Sequence, residues 1–217
     1  MHINKQNYND TLITYNPITS HINYSTYPKI SADVFVGPGS VVVGDVTIKG
    51  PVFIGFHNII RADYGSPFFI GPGTSIHDHC LIHGQPNQYI KVGAYKWSVH
   101  IDGEVSILHG SAVHGPCRVG KNTFIGQHVS IFDAEISPNC VIMHGANITG
   151  GVKIAEGRYV EPGKTIYKQE EADALPAVPG DHLSVNPETV NGYMELLYTY
   201  MNQTNLNRRT TGDRKNW

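Results

Sequence analysis

Three histidines in the middle of the chain, His83, His109 and His114, are of the type and number that could bind one metal ion. Three neutral imidazoles with an open fourth position form a catalytic zinc site, whereas closed four-ligand sites are structural. A metal held in this way lowers the pKa of a bound water to about 7 and so supplies hydroxide at neutral pH. The three side chains can act together only if the fold brings them to one place.

A six-residue repeat is the element that must position these histidines. Aliphatic residues recur at every sixth position over residues 30–60 and again over residues 101–131. An amphipathic helix would show a period of about 3.6 residues and a half-buried strand a simple alternation, and neither template fits. Hexapeptide repeats are typical of a parallel β-helix. We therefore predict an all-β solenoid of this kind.

The repeat divides the chain into three predicted parts. Residues 1–29 have no clear period and are expected to form an N-terminal arm or edge strand, and residues 30–166 form the β-helix domain. Residues 167–217 form a C-terminal helical segment and tail, in which KQEEADAL (168–175) predicts a short helix. A second helix with an apolar stripe is expected to begin at Asn186 as N-cap and to pack alongside the coil.

Stacking of the repeats predicts which side chains become neighbours. Three hexads make one turn, so residues three hexads apart stack at the strand spacing of about 4.8 Å. If the insertions within 61–69 and 83–100 bulge outward as loops, one stacked column consists of Ile60, Ile82 and Val113. The residues that follow this column point outward and read Arg61, His83, His114 and Phe132. The corner column beside it reads Asp78, His109, Gln127 and His144.

These columns place His83 and His114 together on one face and His109 at another corner. Five extended residues separate His109 from His114, up to roughly 15 Å of chain. A metal shared by all three therefore requires His109 of a neighbouring subunit, and a threefold axis parallel to the coil would create three equivalent sites. Arg61 and Asp78 lie on the same two columns and suit a bidentate pair across that interface. Such a pair would also help to hold an anionic product.

The composition excludes several other classes of protein. The net charge of −2 provides no basic field for nucleic acid. The sequence also lacks a run of about 18 apolar residues, so no membrane-spanning helix is expected. Cys80, Cys117 and Cys140 fall in the small inward position of the repeat, which predicts buried core thiols and no disulfide. The polar N-terminus lacks the apolar segment of a secretory signal, so a cytoplasmic location is expected.

The motifs RADYGSPFFIG (61–71), DHCLIH (78–83) and HGSAVHGP (109–116) resemble those of the γ-class carbonic anhydrases. The likeness covers roughly residues 25–180. It implies a left-handed β-helix and a homotrimer with a metal ion, Zn²⁺ or else Fe²⁺ or Co²⁺, at each subunit interface. It implies a lyase in which metal-bound hydroxide reversibly hydrates CO2 to bicarbonate. His83 and His114 would be ligands from one chain and His109 from the next.

The resemblance also assigns polar site residues. The family's interface and active-site positions correspond to Arg61, Asp63 and Asp78. Tyr64 stands where the family often has Glu, and it could orient the bound hydroxide. His77 stands where the family often has Gln, and it could transfer protons, because the region in which the archaeal type carries a shuttle Glu reads Gly84-Gln85. Asn191 would match the family's active-site asparagine.

Two other functions remain open from the sequence. A non-catalytic relative that assembles a complex or binds bicarbonate would keep the site and lose the proton transfer. A hexapeptide acyltransferase would need one catalytic histidine and an acceptor pocket, which leaves the three histidines with Arg and Asp unexplained. Metal content would separate the acyltransferase from the other two functions, and a CO2 hydration assay would separate those two.

Overall fold

A computed structural model describes residues 10–212 of the chain, with side chains as far as residue 203. Residues 1–9 of the predicted arm and 213–217 of the predicted tail lie outside the described residues. The strands are β1 (Leu12–Thr14), β2 (Lys29–Ile30), β3 (Val34–Val36), β4 (Val41–Gly44), β5 (Val46–Ile48), β6 (Val52–Ile54), β7 (Ile59–Ala62), β8 (Phe68–Ile70), β9 (Thr74–Ile76), β10 (Leu81–His83), β11 (Ile90–Val92), β12 (Tyr95–Trp97), β13 (Val99–Ile101), β14 (Ser106–Ile107), β15 (Ala112–Val119), β16 (Phe124–Ile125), β17 (Ser130–Ile136), β18 (Val141–Ile142), β19 (Asn147–Ile148), β20 (Val152–Ile154), β21 (Tyr159–Val160) and β22 (Thr165–Ile166). The helices are α1 (Gln169–Asp173), a 3-10 turn (Gly180–His182) and α2 (Val185–Gly212).

The chain forms the predicted left-handed parallel β-helix with three faces. The first face runs through β1, β4, β7, β10, the first half of β15, the first half of β17, β19 and β22, and the second face begins with β2, β5, β8 and β13. One 13-stranded sheet covers both of these faces, because β15 and β17 bend around the corner between them. The third face is a separate sheet of β3, β6, β9, β14, β16, β18 and β21.

Stacked aliphatic side chains fill the interior in the predicted register. Ile60 pairs with Ile82, Ile82 with Val113 and Val113 with Ile131, and all four are fully buried. Burying one such side chain contributes about 1.5–3 kcal/mol, so the repeated column is the main source of cohesion. The three cysteines are free and buried, as predicted, and burial raises the pKa of the Cys80 thiol to about 11.

The long insertion after β10 has internal structure that the repeat did not predict. Strands β11 and β12 pair antiparallel and form a hairpin, with Ile90 opposite Trp97. The chain then rejoins the second face at β13, where Val99 pairs with Phe68. The insertion therefore forms a hairpin outside the coil.

The C-terminal helices lie alongside the coil, as predicted. The apolar stripe of α2 packs against the third face, where Leu197 is buried with Phe35 and Phe53. The prediction that Asn186 caps the helix was wrong, because α2 already begins at Val185. The buried Asn186 amide instead donates to the carbonyl of Glu104, 2.8 Å away, and so fastens the start of the helix to the coil.

The end of α2 differs from the predicted tail. The helix continues to Gly212, so the first part of the sequence expected to form a tail is helical. Within residues 10–212, the structure contains no helix that is both long enough and apolar enough to cross a membrane.

Candidate metal centre

Strands β10 and β15 bring His83 and His114 together on the first face. The two residues are directly paired across the parallel strands. Their chain neighbours Ile82 and Val113 point into the core, so the imidazoles point outward, since successive side chains of a strand alternate. His83 Nδ1 lies 3.3 Å from His114 Nε2. The predicted adjacency of these two histidines is confirmed.

The contacts of the remaining ring nitrogens fix the proton of His114 but not that of His83. His114 Nδ1 is 3.0 Å from the carbonyl oxygen of Gly115 and must donate to it, because a carbonyl only accepts. His83 Nε2 lies 3.5 Å from Asp63 Oδ1, and neither of these buried atoms has a hydrogen-bond partner among the described residues. With its proton on Nε2, His83 would present the lone pair of Nδ1 beside that of His114 Nε2, and one metal ion could bind both; with its proton on Nδ1, His83 donates to His114 Nε2. An orienting partner behind each imidazole is the usual arrangement for a histidine that binds metal.

The charge state of His83 also suits metal binding. Partial burial, followed by the neighbouring His114, lowers the pKa of His83, although Asp63 opposes the shift. The neutral form is therefore favoured at neutral pH, and only a neutral imidazole can donate a lone pair to a metal.

Arg61 and Asp63 form an ion pair at the edge of this site. Arg61 Nη2 and Nε lie 2.7 Å and 2.9 Å from Asp63 Oδ2. Asp63 thus holds Arg61 with one oxygen and faces His83 with the other. The Arg61 side chain remains 47% exposed, so its guanidinium can still reach an anion or another chain.

Tyr64 lies beside the site and connects it to the N-terminal arm. Its ring is nearly parallel to that of His83, with centroids 6.1 Å apart and an interplanar angle of 3°. The Tyr64 ring also contacts His21 of the arm, whose ring stands edge-on to it with centroids 5.0 Å apart. The position of His21 was not predictable from the sequence, because the arm has no repeat that would place it.

His109 and Asp78 lie together at the corner, as the column predicts. His109 Nδ1 is 3.2 Å from the backbone nitrogen of Asp78 and 3.5 Å from its Oδ2. The other carboxylate oxygen, Asp78 Oδ1, accepts from the backbone N–H of Phe56 at 2.8 Å. Among residues 10–212 of one chain, no three His, Cys, Asp or Glu side chains come together as a metal-binding group.

His77 occupies an environment unlike that of a surface proton carrier. It is buried and stacks on Tyr193 of α2, with ring centroids 3.6 Å apart. Burial, followed by the charge of His109, lowers the pKa of His77 to about 3. This environment disfavours proton transfer at neutral pH, and His77 instead fastens α2 to the corner.

His77 should make the protein sensitive to acid. In the unfolded chain this histidine is protonated below about pH 6.5, whereas in the folded chain it stays neutral down to about pH 3. The free energy of unfolding therefore falls as pH falls through this window, by roughly 1.4 kcal/mol per pH unit. In urea unfolding of metal-free protein, the free energy of unfolding of His77→Gln should fall by about 2 kcal/mol less than that of wild type between pH 7 and pH 5. The exposed control His57→Asn should lose as much as wild type. Equal losses for His77→Gln and wild type would contradict this prediction.

Asn191 does not join the other predicted site residues. It is exposed on α2 and does not line the open cavity, of about 410 Å³, between that helix and the corner. The residues that line this cavity include His77, His109, Gln127, Glu188 and Tyr193. The place of Glu188 in this lining was not predictable, because the crossing of α2 over the corner cannot be deduced from the apolar stripe of the helix.

The donor set of the paired histidines fits a tetrahedral metal ion. With zinc–nitrogen bonds of about 2.0–2.1 Å, two imidazole nitrogens on one tetrahedral ion lie about 3.3–3.4 Å apart. The observed separation of His83 Nδ1 and His114 Nε2 is 3.3 Å. These two side chains would supply two ligands and leave the other positions for a third ligand and solvent.

Sequence comparison places the chain among known proteins. It is 32% identical over 199 residues to a carbonic anhydrase of Methanosarcina thermophila, which covers 83% of this chain and 80% of that protein. The chain belongs to the γ-class carbonic anhydrase family. This γ-class chain is also 38% identical over 151 residues to the carboxysome assembly protein CcmM of a Nostoc species, covering 69% of this chain but only 27% of CcmM.

The comparison with solved structures agrees on the fold. A hexapeptide transferase family protein of Anaplasma phagocytophilum matches 81% of this γ-class chain and 93% of its own, with a TM-score of 0.52 and 20% identity. At that identity the match shows the fold alone. No family model matches the chain.

Proposed function

We propose that the protein is a metal-dependent carbonic anhydrase that reversibly hydrates CO2 to bicarbonate. In this proposal it works as a homotrimer with one metal site at each subunit interface. His83 and His114 of one chain and His109 of the next are the ligands. Zinc is the metal we favour, although three imidazoles also suit Fe²⁺ or Co²⁺.

The observation that carries the proposal is the pair of facing nitrogens. His83 Nδ1 and His114 Nε2 face each other at 3.3 Å, and His114 Nε2 is left with its lone pair because Nδ1 donates to the Gly115 carbonyl. A metal ion satisfies both nitrogens and matches their separation.

An exposed apolar ladder on the same face supports assembly with a second copy. Stacked along the outward positions of β1, β4, β7 and β10, it consists of Leu12, Val41, Ile59 and Leu81. Leu12 is 52% exposed, and Ile59 and Leu81 are each 40% exposed. Apolar side chains in a continuous row beside a candidate site are typical of a protein–protein interface. Such a neighbour would bring a corner bearing His109 toward His83 and His114.

The tautomer of His109 decides whether it can be the third ligand. If Nδ1 carries the proton, it can donate to Asp78 Oδ2 and leave Nε2 free to bind metal. Many histidines that bind metal donate to a carboxylate in this way. The proposal therefore requires that His109 release the backbone N–H of Asp78, which Nδ1 otherwise accepts at 3.2 Å. The imidazole is 41% exposed, so a neighbouring chain can reach it.

The surrounding side chains would support the reaction. The metal, when bound, supplies hydroxide at neutral pH for attack on CO2. Asp63 orients His83 and at the same time holds Arg61, whose cationic group attracts the bicarbonate anion. Asp78 orients His109, and Tyr64 lies beside His83 with its ring parallel to the imidazole.

Stopped-flow CO2 hydration by metal-loaded protein tests this function. Wild type should hydrate CO2 well above the uncatalysed rate, and His109→Ala should return to that background. The backbone N–H of Asp78 is then freed without disturbing the core, so the variant should fold normally. A wild-type rate equal to that of His109→Ala would overturn the proposal.

One observation favours a second candidate function. The likeness to CcmM, together with Gly84-Gln85 in place of the archaeal shuttle residue, would suit a non-catalytic assembly or bicarbonate-binding protein. Such a protein would bind metal in the same trimer but show no hydration activity. Metal content and activity measured on one sample separate the two functions.

A further inference from the structure

The N-terminal arm is a built loop whose shape depends on one buried amide. The Asn16 side chain donates to the carbonyls of Pro17 and Tyr24, at 3.0 Å and 2.7 Å, and accepts from the backbone N–H of Thr26 at 2.8 Å. Ile22 is buried and anchors the tip of the loop. The position of the residue before Ile22 is therefore set by the fold.

That residue, His21, is held beside the candidate metal centre. Its ring stands edge-on to Tyr64 at 5.0 Å, and Tyr64 stacks on His83 at 6.1 Å. A second contact of the arm lies close by, because the Tyr24 hydroxyl is 3.4 Å from Ser66 Oγ. His21 itself is exposed, so its imidazole stands between the site and bulk water.

The proposed reaction requires a group in this position. Hydration of one CO2 by one water yields one bicarbonate and one proton, and that proton must leave before the next turnover. Two other candidates are already engaged, since Asp63 is paired with Arg61 and His77 is buried at the corner against Tyr193. Imidazole is the side chain that most readily exchanges protons near neutral pH.

We propose that His21 carries the proton out of the site. It accepts the proton released by each CO2 hydration, through water beside Tyr64, and passes it to buffer in bulk solvent. The arm thereby supplies from outside the coil a function for which Gly84-Gln85 offers no titratable group. This inference rests on the proposed carbonic anhydrase function.

The contact itself can be tested on metal-free protein. With histidines labelled at Cε1, the His21 resonance should be displaced by the ring current of Tyr64. Tyr64→Leu should return it to the position of an exposed histidine, and Ile22→Ala should do the same by releasing the arm. A His21 resonance that neither substitution moves would overturn the placement on which the inference depends.

Kinetics test the proton transfer. In dilute buffer, His21→Ala should lower kcat on the order of 10-fold to 100-fold while kcat/KM stays unchanged, because proton export follows CO2 conversion. Imidazole added to the buffer should restore kcat, which a merely structural defect would not allow. The exposed control His57→Asn should retain the wild-type kcat. An unchanged kcat, or a loss that imidazole does not rescue, would overturn the inference.

Isotope exchange between CO2 and bicarbonate at chemical equilibrium separates this inference from the function beneath it. Exchange needs no net proton export, so His21→Ala should exchange as fast as wild type. If wild type and His21→Ala both exchange isotope and have the same kcat, the role of His21 is overturned while the carbonic anhydrase proposal stands. Absence of exchange in metal-loaded wild type would overturn the carbonic anhydrase proposal, and the role of His21 with it.

Discussion

Replacing His114 with alanine is expected to abolish metal retention. The substitution removes one of the two nitrogens that face each other at 3.3 Å and leaves His83 Nδ1 without its neighbour. Loss of an outer partner of a metal ligand already costs about 10-fold to 100-fold in affinity, so loss of a ligand should cost at least about 100-fold. Elemental analysis after dialysis should find about one metal ion per wild-type chain and almost none in His114→Ala. CO2 hydration should fall with the metal.

An exposed histidine provides the matched control, because its bond to the His109 carbonyl is made by the backbone N–H and is kept when the side chain is changed. His128 follows His114 along the chain and lies at a corner, where its backbone φ of 54° is one that Asn tolerates. His128→Asn should keep the wild-type metal content and activity. Equal metal content in His114→Ala and wild type would show that the paired imidazoles do not hold the ion.

The second large effect concerns assembly. Leu81→Asp is expected to convert the protein to monomers and to remove its metal, although the chain stays folded. Leu81 is 40% exposed in the single chain and lies in the apolar ladder, two residues before His83. A carboxylate there would be buried without a partner at each interface, at several kcal/mol apiece. Light scattering after size exclusion would measure the mass, and elemental analysis the metal.

Leu183→Asp is the control for this prediction. Leu183 is 64% exposed beside the start of α2 and lies outside the ladder. This variant should keep the mass and metal content of wild type. A Leu81→Asp protein that remains a trimer, or a monomer that still retains metal, would contradict an interface site on the first face.

The regular part of the fold was predictable because its period fixes the register. Once residues three hexads apart are stacked, Ile82 must pair with Val113, and His83 then lies beside His114. The same stacking places His109 in the column of Asp78. Insertions do not disturb these columns, since the loops leave the coil and return to the same register.

The irregular contacts were not predictable, because they depend on how separate elements dock. His21 reaches Tyr64 only because a buried Asn16 shapes the arm. His77 is buried only because Tyr193 of α2 crosses over it. Neither the arm nor the crossing of the helix has a period from which its position could be calculated.

The two histidines of the corner differ in exposure. His77 and His109 lie one residue and one turn apart, with ring centroids separated by 5.0 Å. By sequence both are histidines of the same corner, but one is buried under α2 and the other is 41% exposed. Only the exposed histidine is placed to serve a neighbouring subunit.

Complementation between two inactive variants tests most directly whether the site is shared between subunits. His109→Ala and His114→Ala subunits carrying different tags would be coexpressed, and trimers bearing both tags isolated. In a cyclic trimer, every mixed particle contains one interface with all three histidines, so activity and metal should return to about one third of wild type. The matched pair His83→Ala with His114→Ala should stay inactive, because both substitutions fall on the same side of each interface. If mixed His109→Ala and His114→Ala trimers are as inactive as their parents, the shared site is contradicted.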